Sequence, residues 1–176
     1  IPLGLRFIGR WVERFAGFPM HMRAGEEAVV FPFGASGEWS FGALICFDLI
    51  YPRYARRMAR GGARFLVNAT NEAWFGTSAE FDQLLTIARF RCIENRMGMV
   101  RATNSGISAS IDAAGRVRAR IQDAAGRDRG VEGVLRCRPD LRGAFTFYSR
   151  AGDLFGLSCA LLAMIAGLVA ARQRAP

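Results

Sequence analysis

Lysine is absent from the 176 residues: all 24 basic positions are arginine, against 15 acidic ones, and the formal charge is +9. No step that needs a lysine ammonium can be carried by this chain alone. Histidine is almost missing too, with His21 standing alone in a Phe-Pro-Met-His-Met stretch. An imidazole with no group to orient it is a poor partner for a cysteine protease dyad. Four cysteines, Cys46, Cys92, Cys137 and Cys159, lie far apart with no CxxC pair and no clustered histidine. That spacing argues against zinc and against a disulfide framework, so free thiols are expected, and no metal or cofactor. The chain opens at Ile1 with neither Met nor a charged-then-apolar leader, so no signal peptide is expected and the natural start is expected upstream. The arginines are scattered (Arg53, Arg56, Arg57, Arg60, then Arg89, Arg91, Arg96, Arg101) rather than massed. Solvated helix faces are the better reading, and no nucleic-acid partner is expected.

What is present is apolar residues, 51% of the chain, enough for one domain with a core and an appendage. The division expected is a domain over 1–150 and a terminal segment over 151–176. From Leu154 to Ala171 the run LFGLSCALLAMIAGLVAA has no charge and no proline. It reaches the roughly 17–25 residues a membrane-spanning helix needs. A helix apolar on every face otherwise needs protein all round it, which a terminus rarely has. Arg172 and Arg174 follow at once, which by the positive-inside tendency puts the tail in the cytoplasm and the domain opposite, although Arg150 on the other flank opposes this. Cys159 inside the run reads as a small hydrophobe.

Upstream, strand-like and helix-like segments alternate, which predicts an α/β fold. Ala28 to Phe33 and Phe41 to Cys46 read as strands joined by a turn; Tyr51 to Arg60 reads as a helix stopped at Gly61-Gly62, and Phe65 to Asn68 as a buried strand. Together these make a βαβ-like unit. Glu80 to Arg96 has the spacing of a long amphipathic helix, with its arginines and Glu94 expected to face water or partners. Met99 to Ala102, Gly106 to Ile111, Val117 to Ile121 and Gly133 to Cys137 follow as short strands. Leu3 to Phe15 reads as an amphipathic helix, packed on the domain or lying in a lipid interface.

The sharpest local feature is Ala43-Leu44-Ile45-Cys46-Phe47-Asp48, a thiol at the carboxyl end of an apolar strand just before a helix that begins near Pro52. Strand ends are where α/β folds hold reactive groups, and a nearby helix N-terminus favours a thiolate or an oxyanion. On this stretch alone, a buried inert cysteine remains the better reading.

Its company changes that. Ile45-Cys46-Phe47-Asp48, Arg60-Gly61-Gly62-Ala63 and Val67-Asn68-Ala69-Thr70-Asn71-Glu72-Ala73-Trp74-Phe75-Gly76 occur in that order. This resembles the carbon-nitrogen hydrolase, or nitrilase, superfamily. Gln83, Ala88-Arg89-Phe90-Arg91, Glu94-Asn95, Arg101-Ala102-Thr103-Asn104-Ser105-Gly106 and the close Thr146-Phe147-Tyr148-Ser149-Arg150 before an apolar run resemble, within it, the apolipoprotein N-acyltransferase family. The resemblance implies part of a nitrilase-like αββα sandwich followed by one C-terminal transmembrane helix. It implies Cys46 as the nucleophile, working with a glutamate base and a lysine that the family carries before the segment where this chain opens. It also implies a phospholipid acyl donor, a diacylglyceryl apolipoprotein acceptor, and a bacterial inner-membrane protein with its catalytic domain on the periplasmic side.

Phe47 and Asp48 stand where that family commonly has Tyr and Glu, and Leu84 where it often has His. The Phe47 backbone N–H is a candidate oxyanion donor. Asp48 either acts in the site or caps the helix that starts near Tyr51. Trp74 and Phe75 either line an acyl channel or anchor the core. The alternatives to an acyltransferase are a nitrilase-family amidase, whose members are usually soluble, and a truncated, inactive, membrane-tethered binding domain.

Overall fold

The computed structural model describes residues 27–76 and 78–174. The expected helix over 3–15 and His21 lie outside the described residues. Six strands form one sheet in sequence order: β1 Val30–Phe33, β2 Trp39–Ile45, β3 Phe65–Thr70, β4 Met99–Thr103, β5 Ala109–Ile111 and β6 Val117–Arg120. The centre, β2-β3-β4, is parallel, while β1 and the β5-β6 pair add antiparallel edges. Parallel neighbours need crossovers, supplied here by α1 (Pro52–Arg60) between β2 and β3 and α2 (Glu80–Asn95) between β3 and β4. Both crossovers step the same way along the sheet, so their right-handedness puts both helices on one face.

The core confirms that placement. Leu44, Leu66, Met99, Ala109 and Ile111 from alternate strand positions meet Ala55 and Ala59 of α1 and Phe81, Leu85, Ala88 and Cys92 of α2. Small residues bring α1 close: a Cβ on Gly42 would stand 2.5 Å from the Met58 Cβ, so β2 tolerates only glycine there without displacing the helix. The alternate positions point to the other face. There Phe31, Phe33, Phe41 and Phe65 form a chain of ring contacts with centroids 5.3–6.4 Å apart. Phe31, Phe33 and Trp39 remain between 42% and 49% exposed. The described residues therefore supply one helix layer and one sheet, half of the expected sandwich.

Three expectations are corrected. Residues 133–137 form no strand; the stretch from Ile121 to Thr146 is a strap that ties in singly, through Gly130 N–H to the Ser105 carbonyl (2.7 Å), Gly98 N–H to the Asp140 carbonyl (2.9 Å) and Arg142 N–H to the Arg64 carbonyl (2.6 Å). Arg91 does not face water. Helix α2 is packed by the sheet, by α1 and by the short helix α3 (Phe147–Ala151), so Arg91 is drawn inside and pairs with the half-buried Glu94, Nη2–Oε1 at 3.0 Å. Ile93, which helical spacing with Phe81, Leu84, Leu85 and Ala88 sets on the apolar face, is 44% exposed.

After Gly152 the chain enters α4, Leu154–Arg174, whose described side chains from Leu154 to Ala170 are all exposed. Among the described residues no helix is long and apolar enough to cross a membrane. The fold thus establishes the helix and its unpaired apolar surface, and the span expected over 154–171 stays a proposal.

Candidate active site

The carboxyl ends of β2, β3 and β4 open on one edge of the sheet, and the loops that leave them carry the candidate residues. Strand β2 ends at Ile45, with φ −103° and ψ 123°, and Cys46 turns the chain with φ +51° into a 3₁₀ turn, Cys46–Ile50. A non-glycine residue with positive φ costs about 1–2 kcal/mol and persists only where its surroundings impose it. Here Leu44 and Leu49, at 1% and 0% exposure, pin the turn from both sides. The Asp48 carboxylate holds it from within by accepting the Ile45 N–H at 3.1 Å. The result is a half-buried cysteine at a strained strand-to-helix corner.

Asp48 consequently does not cap α1. The N-cap of that helix is Tyr51, without a side-chain hydrogen bond, and Pro52 occupies the first helical position, where its missing N–H costs nothing. The Phe47 ring, 45% exposed, meets the Phe75 ring edge-on at 6.1 Å, so the turns after β2 and β3 touch. Phe75 also packs against the core, whereas Trp74 is 84% exposed and anchors nothing among the described residues.

Behind this edge lies a buried polar network. Arg101 of β4 and Asn68 of β3 are register partners, as are Asn68 and Leu44 of β2. The Arg101 guanidinium donates to the Asn68 side-chain amide oxygen, Oδ1, and to the Glu72 carboxylate. Asn68 in turn donates to the Leu44 carbonyl at 2.9 Å, two residues before Cys46. The Glu72 N–H donates to the Asn104 side-chain oxygen at 2.8 Å, and Asn104 donates to Asn71 at 2.7 Å. One guanidinium thereby ties together the ends of all three central strands. Arg101 and Glu72 side chains are 0% and 1% exposed, and a second Glu72 oxygen, Oε2, has no partner among the described residues. Burial pushes the Glu72 carboxyl above its ordinary range and Arg101 pulls it back; burial likewise lowers Arg101, offset by Glu72.

A hollow of about 640 Å³ lies beside these strand ends, lined by Ala102, Asn104, Ser108, Ile121, Val131 and Leu135; Cys46 is not part of its lining. Of the other thiols, Cys92 is fully buried, its pKa driven up by desolvation, which suits a packing role. Among the described residues no group of three or more His, Cys, Asp or Glu could hold a metal ion.

The family model of the carbon-nitrogen hydrolases matches residues 10–127, two thirds of the chain and all the elements that frame Cys46. The chain belongs to the carbon-nitrogen hydrolase family. Among curated relatives, the apolipoprotein N-acyltransferase of Geobacter metallireducens is 37% identical over 139 residues, covering 79% of this chain and 26% of that protein. The apolipoprotein N-acyltransferase of Caulobacter vibrioides is 36% identical over 174 residues, 98% of this chain and 29% of that protein. The chain thus spans between a quarter and a third of those two relatives. Among solved structures, an amidase from Nesterenkonia sp. superposes with a TM-score of 0.46 at 20% identity, over 57% of this chain and 39% of that one. A match of that depth adds nothing to the family assignment.

Within this carbon-nitrogen hydrolase frame, the structure brings Cys46, Phe47, Asp48 and Phe75 together, and sets Trp74 outward on the same loop. Sequence reading missed the Asn68–Arg101–Glu72 network as a unit. A signal existed: Arg101 shares the helix-facing register of β4 with Met99, so a charge was bound to be buried beside an apolar neighbour.

Proposed function

We propose that this chain supplies the nucleophile-bearing part of an apolipoprotein N-acyltransferase, with Cys46 carrying the acyl group as a thioester. A thiol attacks an ester carbonyl only as its thiolate, so a base must take its proton as the S–C bond forms. Collapse of the tetrahedral intermediate breaks the ester C–O bond, and the proton leaves with the lysophospholipid hydroxyl. An amine then attacks the thioester; the N–C bond forms, the C–S bond breaks, and sulfur regains its proton. The Phe47 backbone N–H is the proposed oxyanion donor. The chain has no lysine, so the ammonium that the family resemblance implies, and with it the glutamate base, is proposed to come from the part of the relatives' length that this chain does not span. The acyl donor proposed is a phospholipid and the acceptor the N-terminal amine of a diacylglyceryl apolipoprotein.

The observation that supports this reading best is the positive φ of a half-buried Cys46 at a strand end, since such strain collects at functional corners. Helix α4 fits the same substrate: an apolar, fully exposed helix beside the domain would anchor it in the bilayer, with the domain on the periplasmic side of the inner membrane. In the full-length protein incubated with acyl-labelled phospholipid, hydroxylamine-sensitive label is expected on wild type and on Cys92→Ala and Cys137→Ala, and none on Cys46→Ala. Label that survives in Cys46→Ala removes the assignment. Release of ammonia from small amides without acyl transfer would point to an amidase instead.

A further inference from the structure

The foot of α4 is ringed by arginines that the catalytic reading does not use. Arg60 at the end of α1 and Arg150 at the end of α3 line one hollow of about 270 Å³ with Phe145 and Ser149. Arg56 reaches the turn that starts α4: a Cβ on Gly152 would stand 2.3 Å from an Arg56 guanidinium nitrogen, which places that cation against the turn. Arg142 lies over the Phe145 ring, 4.2 Å from its centroid, and donates to the Ala59 carbonyl. Its backbone N–H meets the Arg64 carbonyl; burial lowers the Arg142 pKa, and the Arg64 charge lowers it further. None of these five arginines forms an ion pair among the described residues. The acids sharing the foot are Asp153, which is exposed, and Glu94, already engaged by Arg91.

Among the described residues five cations face two acids here, one of them already paired with Arg91, and an excess of like charge at one place favours a negative partner. Position identifies that partner. Phe145, Phe147 and Phe155 are 39%, 66% and 72% exposed around the same foot, and the apolar surface of α4 begins one residue beyond Asp153. Exposed aromatics and arginines at the head of an apolar helix are the composition of a membrane interface. We propose that the arginines around Gly152, with Arg60 and Arg150 facing one hollow, bind the phosphates of anionic phospholipid headgroups where α4 meets the bilayer. The site is distinct from the Cys46 edge and rests on the reading of α4 as an anchor.

The test reconstitutes the full chain in bilayers of phosphatidylcholine with about one third phosphatidylglycerol, near physiological salt of about 0.15 M, extracts it gently and measures the retained lipids. Wild type is expected to be enriched in phosphatidylglycerol. Arg60→Gln/Arg150→Gln should lower the enrichment by roughly fivefold per arginine, the effect of one basic residue held near an anionic surface. Arg120→Gln/Arg127→Gln, at arginines paired with Asp128 and Asp123 outside the foot, removes the same net charge and should leave the enrichment unchanged. Equal losses in both doubles, or none in the first, overturn the proposal by reducing it to net charge or to nothing. Loss of enrichment under inorganic phosphate at matched ionic strength would assign the arginines to a free anion and also overturn it. The anchor is tested separately: a chain that alkaline carbonate washes off the bilayers is not anchored by α4, whatever its lipid preference.

Discussion

Replacing Arg101 with methionine isolates the cost of the buried network. The change keeps most of the side-chain volume but leaves the Glu72 carboxylate, 1% exposed, with no cation beside it. Breaking a buried pair by removing one partner costs about 3–5 kcal/mol, because the orphaned charge keeps its desolvation penalty. For a domain of this size that lowers the melting temperature by about 6–20 °C. The double variant Arg101→Met/Glu72→Gln removes the charge along with its partner, so it should recover much of the loss, and the double-mutant cycle measures the coupling directly. The pH dependence carries a sign. Burial already raises the Glu72 pKa above its ordinary value, with Arg101 opposing it. Without Arg101 the folded-state pKa rises further, so between the unfolded and folded values the native state holds a proton that the unfolded chain lacks. Stability then falls as pH rises through that window and returns as pH falls through it. The deficit of Arg101→Met is therefore expected to shrink as unfolding is followed by circular dichroism from neutral pH toward about 5. A loss below about 1 kcal/mol, the range of an exposed pair, would refute the argument, as would a deficit that grows on acidification.

The same burial makes Gly106 intolerant of a side chain. A Cβ there would stand 1.8 Å from the Glu72 Oε2 and 3.2 Å from the Phe81 ring, so Gly106→Ala should cost about 1–3 kcal/mol, read as a lower midpoint in urea. The thiols outside α4 should divide by burial: a thiol reagent is expected to modify Cys46 and Cys137 in the native chain and Cys92 only after unfolding. Native reactivity of Cys92 would contradict its 0% exposure.

The central elements were legible because their signals are local. Strands β2 and β3, helix α1 and helix α2 appear within a few residues of where periodicity and the Gly61-Gly62 stop put them. The 133–137 stretch misled because an apolar run makes a strand only when a neighbouring edge accepts it, and here the strap ties in by single hydrogen bonds. Arg91 misled for the opposite reason. A helix packed on several sides buries positions that amphipathic spacing assigns to solvent, and a paired charge survives there. At the site, Asp48 was open between two roles until its hydrogen bond to Ile45 excluded capping of α1.

By itself the sequence determined the chemistry available and the family: a thiol in a particular string of residues, no lysine to accompany it, and an uncharged apolar run from Leu154 to Ala171. Those are properties of residue types in order, and they need no coordinates. The tertiary structure alone decided that Cys46 stands at a positive-φ corner and that one buried guanidinium joins three strand ends behind it. It also gathered the arginines of α1, α3 and the strap around the foot of α4. These depend on register and on the hand of the crossovers, which bring together residues tens of positions apart and leave no mark on the local pattern of any one segment.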